Sequence, residues 1–173
     1  MKVDPDKLSF ELFTTSDNFS TLDFTEEDGT DPLGIEDFIK NKFNDYLQNN
    51  LTSIWTVRYE GRIVAYFTAS MFAIQTRQLL DDEHVSEVPI VSYPSVLLGR
   101  MGVDKKERGR DIGYWICQFC TGLAQEIGKK VACRYIVLHT VKAKTAYYEE
   151  KCMFHQTKKA NPEGKIWMYR RLS

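Results

Sequence analysis

The feature that most constrains the fold is a junction in the middle of the chain, where a hydrophobic run, a basic turn and an amphipathic segment follow one another. Residues 97–103 are strand-like, and 104–110 form a charged turn that contains a glycine. From Ile112 to Ile127 apolar residues recur at three- and four-residue steps, which predicts a helix that ends near Gly128. Such a turn directs backbone N–H groups to the helix N-terminus, where the dipole favours an anion such as pyrophosphate.

The rest of the chain alternates predicted strands and helices, without a repeat or a low-complexity tract. Alternating apolar positions predict strands, and helical spacing predicts helices. The expected order is a strand, a helix, three strands, a helix, a strand, a helix and two strands. The strands are expected at 8–14, 53–59, 62–72, 95–103, 135–138, 154–157 and 166–170, and the helices at 35–47, 112–127 and 143–151.

Glycine and asparagine mark the turns between these elements. Glu60-Gly61 is expected to turn one hairpin, and Asn161-Pro-Glu-Gly164 the closing hairpin. An acidic loop is expected at 17–32. A long polar connection at 75–94 is expected near a substrate entrance, because loops of that length in compact domains usually carry function.

Length and hydropathy predict one globular domain over residues 1–173. The chain has 173 residues, of which 43% are hydrophobic, enough for one core and too few for two ordinary domains. Its apolar runs are far shorter than a membrane span, and its first residues lack the apolar segment of a signal peptide. We therefore expect a cytoplasmic protein that does not contact membrane.

Four cysteines lie close together in the second half of the chain: Cys117, Cys120, Cys133 and Cys152. With His139 or His155 they could form a zinc site. Two of them, however, fall on one face of a predicted helix without a turn or a knuckle glycine. We therefore expect reduced, buried thiols that pack as small hydrophobic groups, and no metal.

Charge is distributed unevenly. Residues 1–90 contain 7 Lys and Arg against 17 Asp and Glu, whereas residues 91–173 contain 16 against 7. Either the two halves neutralise each other in the fold, or the basic half faces a polyanion. A phosphate-rich cofactor and RNA both qualify as that polyanion.

The central junction resembles the cofactor-binding motif of the GNAT superfamily of acetyltransferases. In that motif a strand ending in Val-Asp precedes Gln or Arg, two residues, Gly, one residue, and Gly or Ala. The sequence supplies Val103-Asp104, Arg108 and Gly113, but Asp111 stands at the position of the central glycine. The resemblance extends from the helix at Ile35 to the end of the chain, because the order of elements is the family's.

The resemblance implies an α/β (α+β) fold: a GNAT-type mixed, mostly antiparallel central sheet of about six or seven strands, flanked by helices, with a splayed strand pair that binds CoA. Acetyl-CoA is the implied acyl donor. The strand before the loop would pair with the pantetheine arm, and the loop would hold the pyrophosphate by main-chain donors. The implied cofactor-binding residues are Met101, Gly102 and Val103 on the strand and Arg108, Gly109, Arg110, Asp111, Ile112 and Gly113 in the loop.

Five loop and strand residues have expected physical roles. Gly102 has no side chain to block the pantetheine arm, and Arg108 and Arg110 add positive charge. Asp111 either repels the pyrophosphate or caps the helix by accepting its N–H groups, while Gly109 supplies backbone freedom.

The family also has a later helix with Phe-Tyr, Glu-Lys, one residue and Gly-Phe, whose tyrosine protonates the departing CoA thiolate. The run Tyr147-Tyr-Glu-Glu-Lys-Cys-Met-Phe154 is similar in two registers. If the aromatic pair is the anchor, Tyr148 is the acid; if Glu150 to Phe154 is the anchor, Glu149 takes that place. Tyr148 is favoured, with Tyr147 in reserve, because an ionised glutamate cannot donate a proton. Alternatively, both tyrosines are packing residues.

The resemblance implies direct transfer of the acetyl group to a neutral primary amine, with a backbone N–H near Val103 stabilising the oxyanion. His84 and His139 are candidate bases only through their titration range. The run from Tyr93 to Asp104 is similar to toxins that acetylate aminoacyl-tRNA, so tRNA is one expected acceptor beside small amines and peptides. A homodimer is also compatible with the family, as is a degenerate member that binds CoA or a protein without turnover.

Overall fold

The computed structural model describes residues 1–158 and 164–173. Within them the chain forms a seven-stranded, mostly antiparallel sheet in the order β1-β2-β3-β4-β5-β7-β6, flanked by helices. The predicted α/β class and element order are thus confirmed. The strands are β1 (Leu8–Leu12), β2 (Ser53–Tyr59), β3 (Arg62–Gln75), β4 (Ser92–Val103), β5 (Tyr135–Val141), β6 (His155–Gln156) and β7 (Lys165–Arg171).

The helices follow the predicted positions, with one difference. They are α1 (Ile35–Asp37), α2 (Phe43–Gln48), α3 (Ile112–Gly128) and α4 (Thr145–Cys152). The helix expected at 35–47 is interrupted, because Phe38–Lys42 adopts π-helical geometry between α1 and α2. The Asp31 carboxylate precedes α1 and accepts the backbone N–H groups of the whole segment Ile35–Asp37, at 2.8–3.2 Å.

Turn chemistry explains the hairpin between β2 and β3. Glu60 and Gly61 have φ of 51° and 80°, the left-handed pair required by a two-residue turn that matches strand twist. In the closing hairpin, His155 pairs with Tyr169. Residues 161–163 of its predicted turn, Asn161 to Gly164, lie outside the described residues.

The described chain divides into two compact units, Met1–Ser70 with Gly99–Phe119 and Met71–Leu98 with Cys120–Ser173. The single domain over 1–173 stays a prediction. The first unit has an aromatic core to which the predicted acidic loop contributes three buried residues. Its members are Phe19, Leu22, Phe24, Ile35, Phe38, Ile39, Ile54 and Tyr66. The Tyr66 hydroxyl donates to the Ile35 carbonyl at 2.5 Å, and burial raises the pKa of this phenol.

In the second unit, the connection between β3 and β4 is shorter than expected and is anchored. Leu79 is fully buried in a core with Ile74, Tyr93, Tyr135, Val137 and Tyr169. The Thr76 N–H donates to the Val91 carbonyl at 2.9 Å, and the Val85 N–H to the Tyr93 hydroxyl at 2.9 Å. The connection therefore has a fixed course, and its position near a substrate entrance stays a prediction.

The cysteines are free thiols, and three of them are core residues as predicted. Cys117, Cys120 and Cys152 are buried, while Cys133 is partly exposed. Burial raises the pKa of the Cys120 thiol to about 12. Among the described residues no group of three or more His, Cys, Asp or Glu is arranged to hold a metal ion. Within the same ranges, no helix has the length and apolar character needed to span a membrane.

Candidate functional site

The loop between β4 and α3 has a left-handed backbone at two positions, one of which is the central glycine position of the motif. Gly109 has φ of 76° and Asp111 has φ of 68°, both left-handed. A Cβ atom added at Gly109 would meet open space. Aspartate is among the few side chains that tolerate this conformation. The substitution at the central glycine position therefore leaves the turn intact.

The helix-capping hypothesis for Asp111 is wrong. An N-cap residue normally has extended φ and ψ and a side-chain oxygen that faces the helix N–H groups. Asp111 is instead left-handed, and its carboxylate accepts from the Lys2 ammonium at 2.7 Å. The first bond of the helix runs from Trp115 N–H to the Asp111 backbone carbonyl at 3.2 Å. The backbone N–H groups of residues 112–114 come before this first intrahelical hydrogen bond, as at the start of any α-helix.

The Arg108 guanidinium is engaged by the chain itself. Its Nε donates to the Val103 carbonyl at 3.3 Å, its Nη2 to the Thr25 carbonyl at 2.7 Å, and its Nη1 to Glu27 at 3.3 Å. Arg108 thus ties the loop to residues 22–27, which we call the strap. These contacts give Arg108 a positioning role in the loop, and its expected charge on the pyrophosphate stays a prediction.

Arg110 is likewise turned into the first unit. Its Nη1 donates to Glu107, which is only 8% exposed, and its guanidinium carbon lies 4.8 Å from the centre of the Tyr59 ring. Arg62 also approaches Glu107, at 3.5 Å. The positive charge of Arg110 is therefore balanced inside the protein, and its expected role at the pyrophosphate stays a prediction.

The strap is the part of the site that sequence reasoning missed. The Lys105 N–H donates to the Asp23 carbonyl at 2.8 Å, and the Asp23 N–H donates to Asp104 at 3.1 Å. The Lys105 ammonium contacts the Asp23 carboxylate at 3.1 Å and the Thr25 hydroxyl at 2.9 Å. The acidic first half of the sequence and the basic loop could have predicted these contacts, because their opposite charges neutralise each other here.

Thr25→Val should raise the pKa of Asp23. The Thr25 hydroxyl and N–H donate to the Asp23 carboxylate at 2.6 and 2.9 Å, and together with Lys105 they hold its pKa well below its usual range. These contacts stabilise the folded protein while the Asp23 carboxyl is charged. Their contribution is fully present above the pKa of Asp23 in the unfolded chain, near 3.9, and is lost as pH falls through its lower pKa in the folded protein. Carboxyl NMR titration measures the change. Thr30→Val, which removes the equivalent bond to Asp28, is the control and should leave Asp23 unaltered.

Gly102 lacks a side chain for a different reason than expected. A Cβ atom there would lie 2.7 Å from Ile35, 2.9 Å from Phe24 and 3.1 Å from Tyr66. The space on this side of β4 is filled by the core of the first unit. Gly102 therefore permits close packing of the strand end, and the expected clearance for a pantetheine arm is not what requires glycine here.

The pairing of β4 with β5 is short. Their parallel register covers Ser95 to Leu97 on β4, opposite Tyr135 to Val137 on β5. Leu98 and Leu138, the next residues of the two strands, fall outside it. A parallel pair that ends early leaves backbone groups of both strands available to another partner.

In the second unit, the end of α4 bears on the two tyrosine registers. Met153 follows the helix with φ of 60°, and the Phe154 N–H donates to the Tyr148 carbonyl at 3.1 Å. This is the helix-terminating position that normally holds glycine. It favours the register anchored on residues 150–154, in which Glu149 takes the place of the acid.

The side chains agree with that register. Tyr148 is 8% exposed, and its ring packs against those of Tyr147 and Phe154, with centroids 5.4 and 6.2 Å away. Glu149 is exposed, accepts from Gln156 at 2.6 Å and lines a cavity of about 540 Å³. The structure thus places the loop residues together in the first unit and both tyrosines in the second. The role of Tyr148 or Tyr147 as acid stays a prediction.

Met153→Gly should stabilise the protein by about 1 kcal/mol, because a side chain with a Cβ atom is strained in the left-handed region. Urea unfolding measures the change. Met153→Ala is the matched control: it removes the same exposed side chain but keeps the Cβ atom. An equal gain in both variants would contradict backbone strain as the cause.

The two candidate bases have structural contacts. His84 Nε2 lies 2.9 Å from the Thr76 carbonyl oxygen, and the His139 ring packs 5.1 Å from Trp167. Neither contact assigns a catalytic role, and the base stays unassigned.

Together, the sheet order, the flanking helices and the loop between β4 and α3 define the GNAT acetyltransferase fold. No protein-family model matches the sequence, and no curated protein matches it significantly. Solved structures match over nearly the whole chain. AtaT complexed with acetyl-methionyl-tRNAfMet is 16% identical, with a TM-score of 0.76, covering 92% of this chain and 93% of that one.

Two further structures give the same result. A tyrosine-to-phenylalanine mutant of KacT is 18% identical with a TM-score of 0.79, and the match covers 96% of this chain and 95% of KacT. AtaTR bound with AcCoA is 15% identical with a TM-score of 0.74, again with 96% and 95% coverage. The chain therefore has the fold of these GNAT toxins, and the predicted resemblance is confirmed at the level of fold.

Proposed function

We propose that the chain is an acetyl-CoA-dependent N-acetyltransferase that transfers the acetyl group directly to a primary amine. The observation that carries the proposal is the loop at the start of α3, where Asp111, at the central glycine position of the motif, has a left-handed backbone, as does Gly109 before it. The space beside Gly109 is open. Similarity to AtaT, solved with AcCoA, supports the same donor.

The residues present fit such a donor. The first-turn N–H groups of Ile112 and Gly113, with the dipole of the 17-residue helix α3, suit a pyrophosphate. Residues 101–103 at the end of β4 would pair with the pantetheine arm, and the Val103 N–H would stabilise the oxyanion. Acetyl-CoA supplies an activated thioester carbonyl; Arg108 and Arg110 act by holding the loop in shape.

The acceptor is proposed from charge and similarity. Residues 91–173 carry 16 Lys and Arg against 7 Asp and Glu, and AtaT has been solved with acetyl-methionyl-tRNAfMet. Aminoacyl-tRNA is therefore the first acceptor to test, followed by peptides and small amines. Cytoplasmic location and a homodimer remain part of the proposal.

The test is release of CoA thiol from acetyl-CoA with charged tRNA, peptides, amino acids and spermine as separate acceptors. We expect turnover with one acceptor class above the hydrolysis seen without acceptor. Within that reaction, Tyr148→Phe should lower kcat with little change in CoA affinity if the phenol is the acid. If Glu149→Gln lowers it instead, the register anchored on 150–154 holds.

A degenerate GNAT protein that binds CoA or a partner without turnover is the second candidate. Two departures from the family's pattern favour this candidate: Met153 stands where the family has glycine, and Glu149 stands where the register anchored on 150–154 places the catalytic acid. CoA binding by calorimetry, with no thiol release for any acceptor, would support this candidate over the enzyme.

A further inference from the structure

The first three residues lie along the cofactor loop. The Val3 N–H donates to the Arg110 carbonyl at 3.0 Å, and the Arg110 Nε donates to the Met1 carbonyl at 3.3 Å. Val3 is only 6% exposed, so its side chain anchors this segment in the first unit. Lys2 lies between these two contacts and is thereby held beside Asp111.

Lys2 differs from three of the other cations near the loop. Arg108, Arg110 and Lys105 contact internal carboxylates and carbonyls, and their side chains are only 21–29% exposed. The Lys2 side chain is 66% exposed, and in the described ranges its ammonium contacts one carboxylate oxygen, at 2.7 Å on Asp111. An ammonium has three N–H donors, so two of them remain available to a ligand.

We propose that Lys2 is a further cofactor-binding residue, which neutralises Asp111 and donates to the pyrophosphate held at the start of α3. The inference rests on the proposed function. A carboxylate within the loop repels a pyrophosphate unless a cation balances it. Lys2 supplies that cation from 109 residues away in sequence, which explains how the loop tolerates aspartate at a glycine position.

Calorimetric titration with CoA tests the inference. We expect Lys2→Gln to weaken CoA binding by about tenfold at low salt, and Lys2→Arg to retain most of the affinity. Lys7→Gln is the matched control, because Lys7 forms an exposed pair with Glu60 at 2.9 Å and its loss changes the net charge equally. Its CoA affinity should equal that of the wild type.

The double variant Lys2→Gln with Asp111→Asn separates repulsion from structure. Removing both charges should restore part of the lost affinity. The ligand-free melting temperature should stay close to that of the wild type, because exposed pairs contribute little to stability. 3′-Dephospho-CoA, which retains the pyrophosphate, should show the same loss with Lys2→Gln as CoA does.

Three results would overturn the inference: unchanged CoA affinity in Lys2→Gln, an equal loss in Lys7→Gln, or a loss confined to CoA and absent with 3′-dephospho-CoA. Failure of the wild-type chain to bind CoA at all would instead overturn the proposed function. The two failures are therefore distinguishable in one titration series.

Discussion

Coenzyme A at about a hundred times its Kd should raise the melting temperature of the wild-type chain by roughly 5–10 °C, and Gly113→Trp should abolish that shift. Such ligand excess stabilises a folded protein by about 2.7 kcal/mol, and each kcal/mol corresponds to roughly 2–4 °C at this chain length. Gly113 is the second residue of α3, where an indole would cover the N–H groups proposed to hold the pyrophosphate. Thermal scanning with and without CoA measures both results.

Gly122→Trp is the matched control for this experiment. It places the same side chain on the same helix, at a position where an added Cβ atom meets nothing within 4 Å. The control should keep the wild-type shift. If Gly113→Trp kept it as well, CoA would bind elsewhere and the assignment of the loop would fail.

Gly102→Ala should destabilise the protein by about 1–3 kcal/mol, the usual cost of forcing an extra methyl group into a packed core. The added Cβ would meet Ile35, Phe24 and Tyr66 at 2.7–3.1 Å. Tyr66 cannot yield readily, because its ring is fully buried and its hydroxyl is bonded to the Ile35 carbonyl. Urea unfolding monitored by fluorescence measures the loss.

Gly122→Ala is the control for overpacking. Its Cβ would face open space, and alanine favours a helix over glycine by about 1 kcal/mol. The same chemical change should therefore have opposite signs at the two glycines. A neutral Gly102→Ala would show that the end of β4 is not packed as closely as described.

Local patterns predicted the elements well because each pattern depends on residues close in sequence. The turn at Glu60-Gly61 and helix α3 follow from turn chemistry and helical spacing. The interruption at Phe38–Lys42 was not predictable, because a π-helical turn has the same composition as the α-helix around it.

The place of the loop between a strand and a helix was predictable from its motif, and the contacts of its side chains were not. The position of the loop came from the Val103-Asp104 pair and Gly113, whereas Asp104, Arg108 and Asp111 have partners that lie 81 to 109 positions away. No spacing rule reaches that distance. The contact of Arg108 with Glu27 was not predictable for this reason, since Glu27 lies in a segment that the sequence predicted only as an acidic loop.

Those distant partners have a consequence for how this loop varies between relatives. Arg108 with Glu27, Lys105 with Asp23, and Lys2 with Asp111 are pairs that join the loop to the first 27 residues. If one residue of a pair is lost, the charge of the other residue is no longer balanced. Homologous chains should therefore change these positions two at a time, and a graft of the loop into another scaffold should include Lys2, Asp23 and Glu27, its charged partners.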